Sequence, residues 1–106
     1  MIRIALGYDS DGCIRSIVLK GHGNGGIGKD LVCAGVSSCF VGAMNAIQES
    51  EKFEFSIKSG NSSCVSKEKP NMHDGIVLET LIVQLKTIQE AYPNEVSVIS
   101  KKEGEK

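Results

Sequence analysis

The segment GHGNGGIGKDLVCAGVS, residues 21–37, joins an extended run to an apolar helical pattern through a loop that is rich in glycine. His22 follows the extended run, and Cys33 lies near the start of the predicted helix. Asp30 is a short carboxylate placed directly before the apolar pattern, which is typical of an N-cap, so the pattern predicts a helix that begins at about Leu31. This transition from strand to helix decides how the rest of the chain is arranged.

Alternating apolar residues predict strands on both sides of this segment, and a second helical pattern follows them. The predicted strands cover residues 1–8, 13–20, 52–58, 62–69 and 96–99, and the predicted helices cover about 31–50 and 76–92. The strand over 62–69 is rich in Ser and Lys, which predicts an exposed position at a sheet edge. The order is ββαββαβ. Two helices cannot cover both faces of such a sheet, so the predicted fold class is α/β, a two-layer sandwich of about five strands with two helices packed on one face.

The composition is that of one small globular domain. The chain has 106 residues, of which 41% are hydrophobic and 24% are charged, and its formal net charge is -1. A nearly neutral chain with 5% aromatic residues has neither the basic surface nor the stacking side chains that nucleic-acid binding needs. No segment resembles a membrane span or an export signal, so we expect no nucleic-acid partner, no membrane partner and a cytoplasmic location. Residues 1–100 are predicted to form the domain, and residues 101–106 a flexible C-terminal tail.

The four cysteines are expected to be free thiols, because bridges are rare in cytosolic proteins. Cys13, Cys33, Cys39 and Cys64 do not have the paired C-x-x-C spacing of a structural zinc site. We therefore expect no bound metal and no cofactor. Among the four, Cys33 alone combines a helix start, a glycine loop and a nearby histidine in sequence.

Cys33 and His22 have the residue types of a nucleophile and its base. In the first turn of a helix, unpaired amides and the macrodipole favour a thiolate, and an imidazole can take the thiol proton and later protonate the leaving amine. Ser37 falls one helical turn after Cys33 on the same face, where its hydroxyl can bond a substrate. Asp30 either orients His22 or only caps the helix. Isolated cysteines are more often inert core residues, so the pattern alone also permits a packed thiol.

Two competing patterns are less convincing. Residues 23–30 fit G-x-x-x-x-G-K, but Asp30 stands where a phosphate-binding loop needs the hydroxyl of Ser or Thr, so nucleotide binding is not expected.

His73 is the other histidine, and Asp74 follows it at the predicted start of the second helix. Adjacent side chains at a helix start seldom face each other, so Asp74 is predicted to cap the helix and His73 to have no catalytic role.

Residues 21–22, the glycine-rich loop and residues 30–37 resemble the signature of the bacterial ribosomal-processing cysteine protease (Prp) family. Residues 41–47 also resemble the continuation of the helix in that family. The resemblance implies a protease-like domain with a catalytic dyad of His22 and Cys33. It also implies supporting or substrate-binding roles for two further polar residues, Asp30 and Ser37.

The glycine loop, with Gly23, Gly25, Gly26 and Gly28, is expected to be mobile and to close over an extended peptide. By resemblance, the function is that of a cysteine endopeptidase that removes the N-terminal extension of a large-subunit ribosomal protein (bL27 type) and so supports ribosome assembly. The expected partners are that precursor protein as substrate and a second copy in a homodimer, which would cover the bare sheet face. The alternative is a non-catalytic, ribosome-associated peptide-binding module in which Cys33 is only packed. A thiol transferase or redox sensor is weakened by the lack of a resolving cysteine at C-x-x-C spacing.

Overall fold

The structure is a computed structural model that describes residues 1–21 and 27–102, and for residues 27–30 it describes the backbone alone. This part of the chain contains five strands and two α-helices in the order ββαββαβ, which confirms the predicted fold class. The strands are β1 Ile2–Tyr8, β2 Ile14–Lys20, β3 Phe53–Ser56, β4 Asn61–Ser66 and β5 Val96–Lys102. The helices are α1 Ile27–Ala46 and α2 Met72–Ala91, and a 3-10 helix covers Ser50–Lys52.

The strands form one mixed sheet in the order β3-β4-β2-β1-β5. The three pairs from β3 to β1 are antiparallel, and β1 pairs with β5 in parallel. A parallel pair needs a crossover connection, and α2 supplies it on the way from β4 to β5. The strand that starts the chain is therefore enclosed between β2 and β5.

Both helices pack on the same face of this sheet. Along β1, Ile2, Ile4 and Leu6 are buried, while Arg3 and Ala5 are exposed. The helices contribute most of the other core residues, which are Val32, Val36, Phe40, Met44, Leu78, Leu81, Ile82 and Leu85. None of the described elements covers the opposite face of the sheet.

The prediction that the fourth strand lies at a sheet edge is wrong. β4 pairs with β2 on one side and with β3 on the other, so the edges of the sheet are β3 and β5. The polar residues of β4 were the basis for that prediction. Val65 is exposed on the uncovered face, so the exposure of β4 comes from its face and not from an unpaired edge.

The first helix begins earlier than predicted. α1 starts at Ile27, four residues before the predicted start at Leu31. Asp30 is therefore not its N-cap, Gly28 lies in the helix and not in the loop, and Cys33 lies in the second turn and not in the first. Acidic residues are favoured both at the N-cap and inside the first turn, because both positions meet the positive end of the macrodipole. The sequence pattern does not separate the two positions.

The second helix also begins four residues early, because a different residue caps it. Asn71 is the N-cap of α2, and its Oδ1 accepts a hydrogen bond from the Asp74 N–H at 2.7 Å. The prediction that Asp74 caps the helix is therefore wrong. At the other end of the chain β5 continues through Lys102, two residues into the predicted tail.

Candidate active site

A cavity of about 240 Å³ lies between α1 and the turn that connects β3 to β4. Cys33 and Ser37 line it from α1, one helical turn apart, as the sequence predicts. Gly21, which follows β2 and precedes His22, lines the same cavity. The structure therefore brings the candidate nucleophile, the candidate supporting serine and the chain neighbour of the candidate base to one cavity.

Part of the cavity wall is apolar. This part is formed by Ile2, Leu19, Val36, Phe40, Val41 and Ile57. Polar atoms are concentrated on the side of the turn, where Ser59, Asn61 and Ser62 contribute to the lining. Apolar walls keep water away from a reacting group, and this strengthens electrostatic interactions at the site.

Gly21 occupies a backbone position that only glycine fits. Its φ is 104°, in the left-handed region, and a Cβ placed there would overlap the carbonyl oxygen of Met1. Its N–H donates a hydrogen bond to the Gly60 carbonyl oxygen at 3.0 Å. The residue before His22 is thus held between the start of β1 and the β3–β4 turn.

The other three cysteines lie elsewhere. Cys64 is buried in β4, and burial raises the pKa of its thiol to about 12. Cys13 lines a cavity of about 390 Å³ at the β1–β2 turn, and Cys39 lines a groove between α1 and α2. Cys33 is the cysteine that shares a cavity with Gly21.

His73 and Asp74 do face each other, contrary to the prediction. His73 Nδ1 lies 2.9 Å from Asp74 Oδ1. The Asp74 carboxylate is fully buried and also accepts hydrogen bonds from the backbone N–H groups of Gln48 and Glu49. Burial acts to raise the pKa of Asp74, but the Gln48 N–H, the His73 ring and the Glu49 N–H outweigh it and lower that pKa. Neither His73 nor Asp74 lines the cavity that contains Cys33, so this pair joins two helices and is not a rival dyad.

Several of the candidate residues cannot be placed. His22, Gly23, Gly25 and Gly26 lie outside the described residues, and the side chain of Asp30 is not described. The pairing of His22 with Cys33 and the closing of the glycine loop therefore stay predictions.

Among the described side chains, no three or more of His, Cys, Asp and Glu are grouped closely enough to hold a metal ion. None of the described helices combines the length and hydropathy required to cross a bilayer.

The sequence analysis missed the wall formed by residues 57–62. These residues lie more than 20 positions after Cys33, and nothing in their alternation indicates which strand lies beside β4. Because β4 pairs with β2, the Gly60 carbonyl accepts the Gly21 N–H, and the β3–β4 turn forms one wall of the cavity. The composition of residues 59–61 indicates a turn, but it does not indicate that this turn lies against Gly21.

The family model described as cysteine protease Prp matches residues 1–97. The chain belongs to the Prp family of cysteine proteases. It is 29% identical over 101 residues to two Staphylococcus aureus proteins that are both called ribosomal processing cysteine protease Prp. The match covers 91% of this chain and 95% of each relative.

Two crystal structures of Staphylococcus aureus Prp have the same fold. One holds a covalently linked product peptide, with a TM-score of 0.85, 29% identity and coverage of 95% of this chain and all of the other. The second holds a substrate peptide, with a TM-score of 0.86, 28% identity and the same coverage. A Streptococcus mutans protein of 21% identity shares the fold with a TM-score of 0.79 over 97% of this chain and 96% of the other.

Proposed function

We propose that this Prp family protease removes the N-terminal extension of a bL27-type ribosomal protein with a dyad of His22 and Cys33. The observation that carries the proposal is the single cavity lined by Cys33, Ser37 and Gly21, the chain neighbour of His22. The names of the Staphylococcus aureus relatives, and the peptides bound to them, support a ribosomal precursor as the substrate.

In the proposed reaction, the His22 imidazole takes the Cys33 proton and the thiolate attacks the carbonyl carbon of the scissile peptide bond. The C–N bond then breaks, the leaving amine receives the proton from His22, and a thioester remains on Cys33. Water hydrolyses this thioester with His22 as the base. Backbone amides of α1 and the Ser37 hydroxyl are the proposed donors to the oxyanion.

The early start of α1 changes the proposed roles of two residues. The macrodipole acts mainly within the first turn, so Cys33 in the second turn depends more on His22 for its ionisation. Because Asp30 does not cap α1, its proposed role is to orient His22 or to contact the substrate. The loop that includes Gly23, Gly25 and Gly26 is proposed to close over the bound peptide.

Incubation of the protein with the precursor ribosomal protein of its own host, followed by mass spectrometry, tests this function. We expect one cut at the end of the N-terminal extension. Cys33→Ala and His22→Ala should each abolish the cut and leave peptide binding largely intact, whereas Cys39→Ala on the same helix should cut normally. If either dyad variant cuts at the normal rate, the dyad is wrong. If the wild-type protein binds the precursor and never cuts it, the non-catalytic module is correct.

We further propose that the uncovered sheet face forms a homodimer and that the protein acts in the cytoplasm. Ile99 and Val65 are 59% and 40% exposed on that face, with Ala5 between them on β1. Burying such a patch favours association. Sedimentation equilibrium should give twice the chain mass, and Ile99→Lys should shift the protein towards the monomer. A monomeric wild-type protein at micromolar concentration would contradict the dimer.

A further inference from the structure

β3 has one unpaired edge, and the alternation of its hydrogen bonds shows which residues face it. The Lys67 N–H donates to the Lys52 carbonyl at 2.8 Å, and the Asn61 N–H donates to the Lys58 carbonyl at 3.1 Å. Residues in the hydrogen-bonded pairs of this antiparallel hairpin are therefore even-numbered on β3. The backbone groups of Phe55, and of Ile57 just after the strand, point away from β4, where no described residue pairs with them.

This edge is apolar and leads into the cavity beside Cys33. Phe55 is 37% exposed and Ile57 is 54% exposed. Ile57 and Lys58 line the cavity from the β3–β4 hairpin, while Cys33, Ser37 and Val41 line it from α1. Two residues of an extended chain span about 7 Å, so a strand paired with Phe55 reaches the cavity wall within two further residues.

The other edge of the sheet, on β5, is occupied over the first part of its length. On β5, the Val98 N–H donates to the Gln89 Oε1 at 2.6 Å, so a side chain of α2 occupies a backbone group that faces the β5 edge. Sheet edges attract further strands, and proteins commonly block them with side chains. Of the two edges, the β3 edge is the one that leads into the cavity beside Cys33.

We propose that the peptide substrate binds as an added strand along the free edge of β3, paired with the backbone of Phe55 and Ile57, and passes from there to Cys33. The inference rests on the proposed function and names how the same site holds its substrate. Strand addition supplies main-chain hydrogen bonds that do not depend on the substrate sequence, and the apolar side chains of the edge supply contacts to alternate substrate residues. It also holds the peptide extended, which is the conformation in which a scissile carbonyl is open to attack.

Amide hydrogen exchange, read by NMR on the Cys33→Ala variant, tests the pairing without turnover. The probe is a synthetic peptide that spans the processing site of the host precursor. On binding, the Phe55 and Ile57 amides should exchange at least about tenfold more slowly, because each gains a partner. The Glu54 amide, already directed at β4, and the Val98 amide on the other edge should not change. A bound peptide that leaves the Phe55 and Ile57 amides unprotected would overturn the inference.

A matched pair of variants gives an independent test on the active enzyme. Phe55→Pro removes the N–H that faces the edge as well as the phenyl ring, while Phe55→Ala removes the ring and keeps the N–H; an edge strand tolerates proline at such a position. We expect KM for Phe55→Pro to exceed that of Phe55→Ala by about threefold to tenfold, with kcat similar. Equal KM values in two folded variants would contradict strand addition.

Methylation of the substrate backbone keeps the inference testable if Phe55→Pro does not fold. Singly N-methylated peptides should lose affinity at every second residue only, since alternate amides of a paired strand face the protein. Uniform tolerance of N-methylation, in a peptide that is still cut, would overturn strand addition and leave the proposed protease function intact. Failure of wild-type protein to cut any precursor would instead overturn the protease function.

Discussion

Asp74 on α2 accepts a hydrogen bond from the backbone N–H of Gln48 at 2.8 Å, and this contact joins the residues that follow α1 to the first turn of α2. The carboxylate is fully buried, and its second oxygen accepts the Glu49 N–H at 3.0 Å. The Asp74 side chain thereby connects the two helices that form one layer of the sandwich at one end. A buried carboxylate with several donors is stable only as long as all of them remain in place.

Replacing this carboxylate should destabilise the protein strongly. Asp74→Ala leaves the N–H groups of Gln48 and Glu49 without their acceptor, which should lower the free energy of unfolding by about 2–4 kcal/mol. Urea denaturation followed by circular dichroism measures the change. Glu90→Ala, an exposed acidic residue on the same helix, serves as the control and should alter the free energy by less than about 0.5 kcal/mol. Similar midpoints for the two variants would show that the contact contributes little.

Stability should fall at acid pH, and Asp74 should account for part of the loss. The pKa of Asp74 in the folded protein lies below its usual value of 3.8, so the unfolded chain binds the proton more readily. The stabilisation is then fully present above about pH 4 and is lost as the pH falls through the lower folded value. The hydrogen bond from the Cys13 N–H is the main cause of a lowered pKa at Asp9, which should act in the same direction. Urea midpoints between about pH 6 and about pH 2.5 should show the fall, and Asp74→Asn should show less of it. A profile that Asp74→Asn leaves unchanged would exclude this carboxylate as a cause.

Gly21→Ala should impair both folding and activity. A methyl group at this position combines a positive φ with overlap of the Met1 carbonyl oxygen, so we expect a loss of at least about 2 kcal/mol in the free energy of unfolding. The kcat/KM for precursor cleavage should fall as well, because the change lies next to His22. Gly42→Ala is the matched control, since a Cβ on that residue of α1 meets no other atom and alanine favours a helix by up to about 1 kcal/mol. A Gly21→Ala variant as stable and active as Gly42→Ala would show that the position is not restricted.

The four thiols should differ in reactivity. Iodoacetamide should label Cys33 faster than Cys13 or Cys39 near neutral pH, because an activated thiolate is the reactive form. Cys64 should remain unlabelled until the protein unfolds, since it is buried and its pKa is raised to about 12. Peptide mapping by mass spectrometry gives the four rates, and His22→Ala should slow the labelling of Cys33 only. Equal rates at Cys13, Cys33 and Cys39 would speak against an activated nucleophile.

The sequence predicted the number and order of the elements because each has a strong local period. Ile2, Ile4 and Leu6 alternate on one strand, and Leu78, Leu81 and Leu85 recur at helical spacing, and all six are buried. The placing of Cys33 and Ser37 on one cavity likewise follows from the helical period alone.

What the sequence did not predict depends on partners that are distant along the chain. The neighbour of β4 is set by its pairing with β2, and a Ser-rich strand on an open face has the same composition as one at an edge. His73 turns towards Asp74 because that carboxylate is fixed from the other side by residues 48–49, and helix geometry alone does not indicate this. The starts of the two helices were predicted four residues too late for a different, local reason. Acidic residues are favoured both at the N-cap and in the first turn of a helix, so Asp30 and Asp74 did not mark the true starts at Ile27 and Met72.

The parallel pairing of β1 with β5 has a consequence for synthesis. Residue 2 is aligned with residue 96, so the strand made first stays open on one side until the strand over 96–102 has left the ribosome. The β1–β2 hairpin and α1 can form during translation, but the sheet that supports the Cys33 cavity cannot be complete until then. A nascent chain of this protease should accordingly be inactive until its last strand has paired with the first.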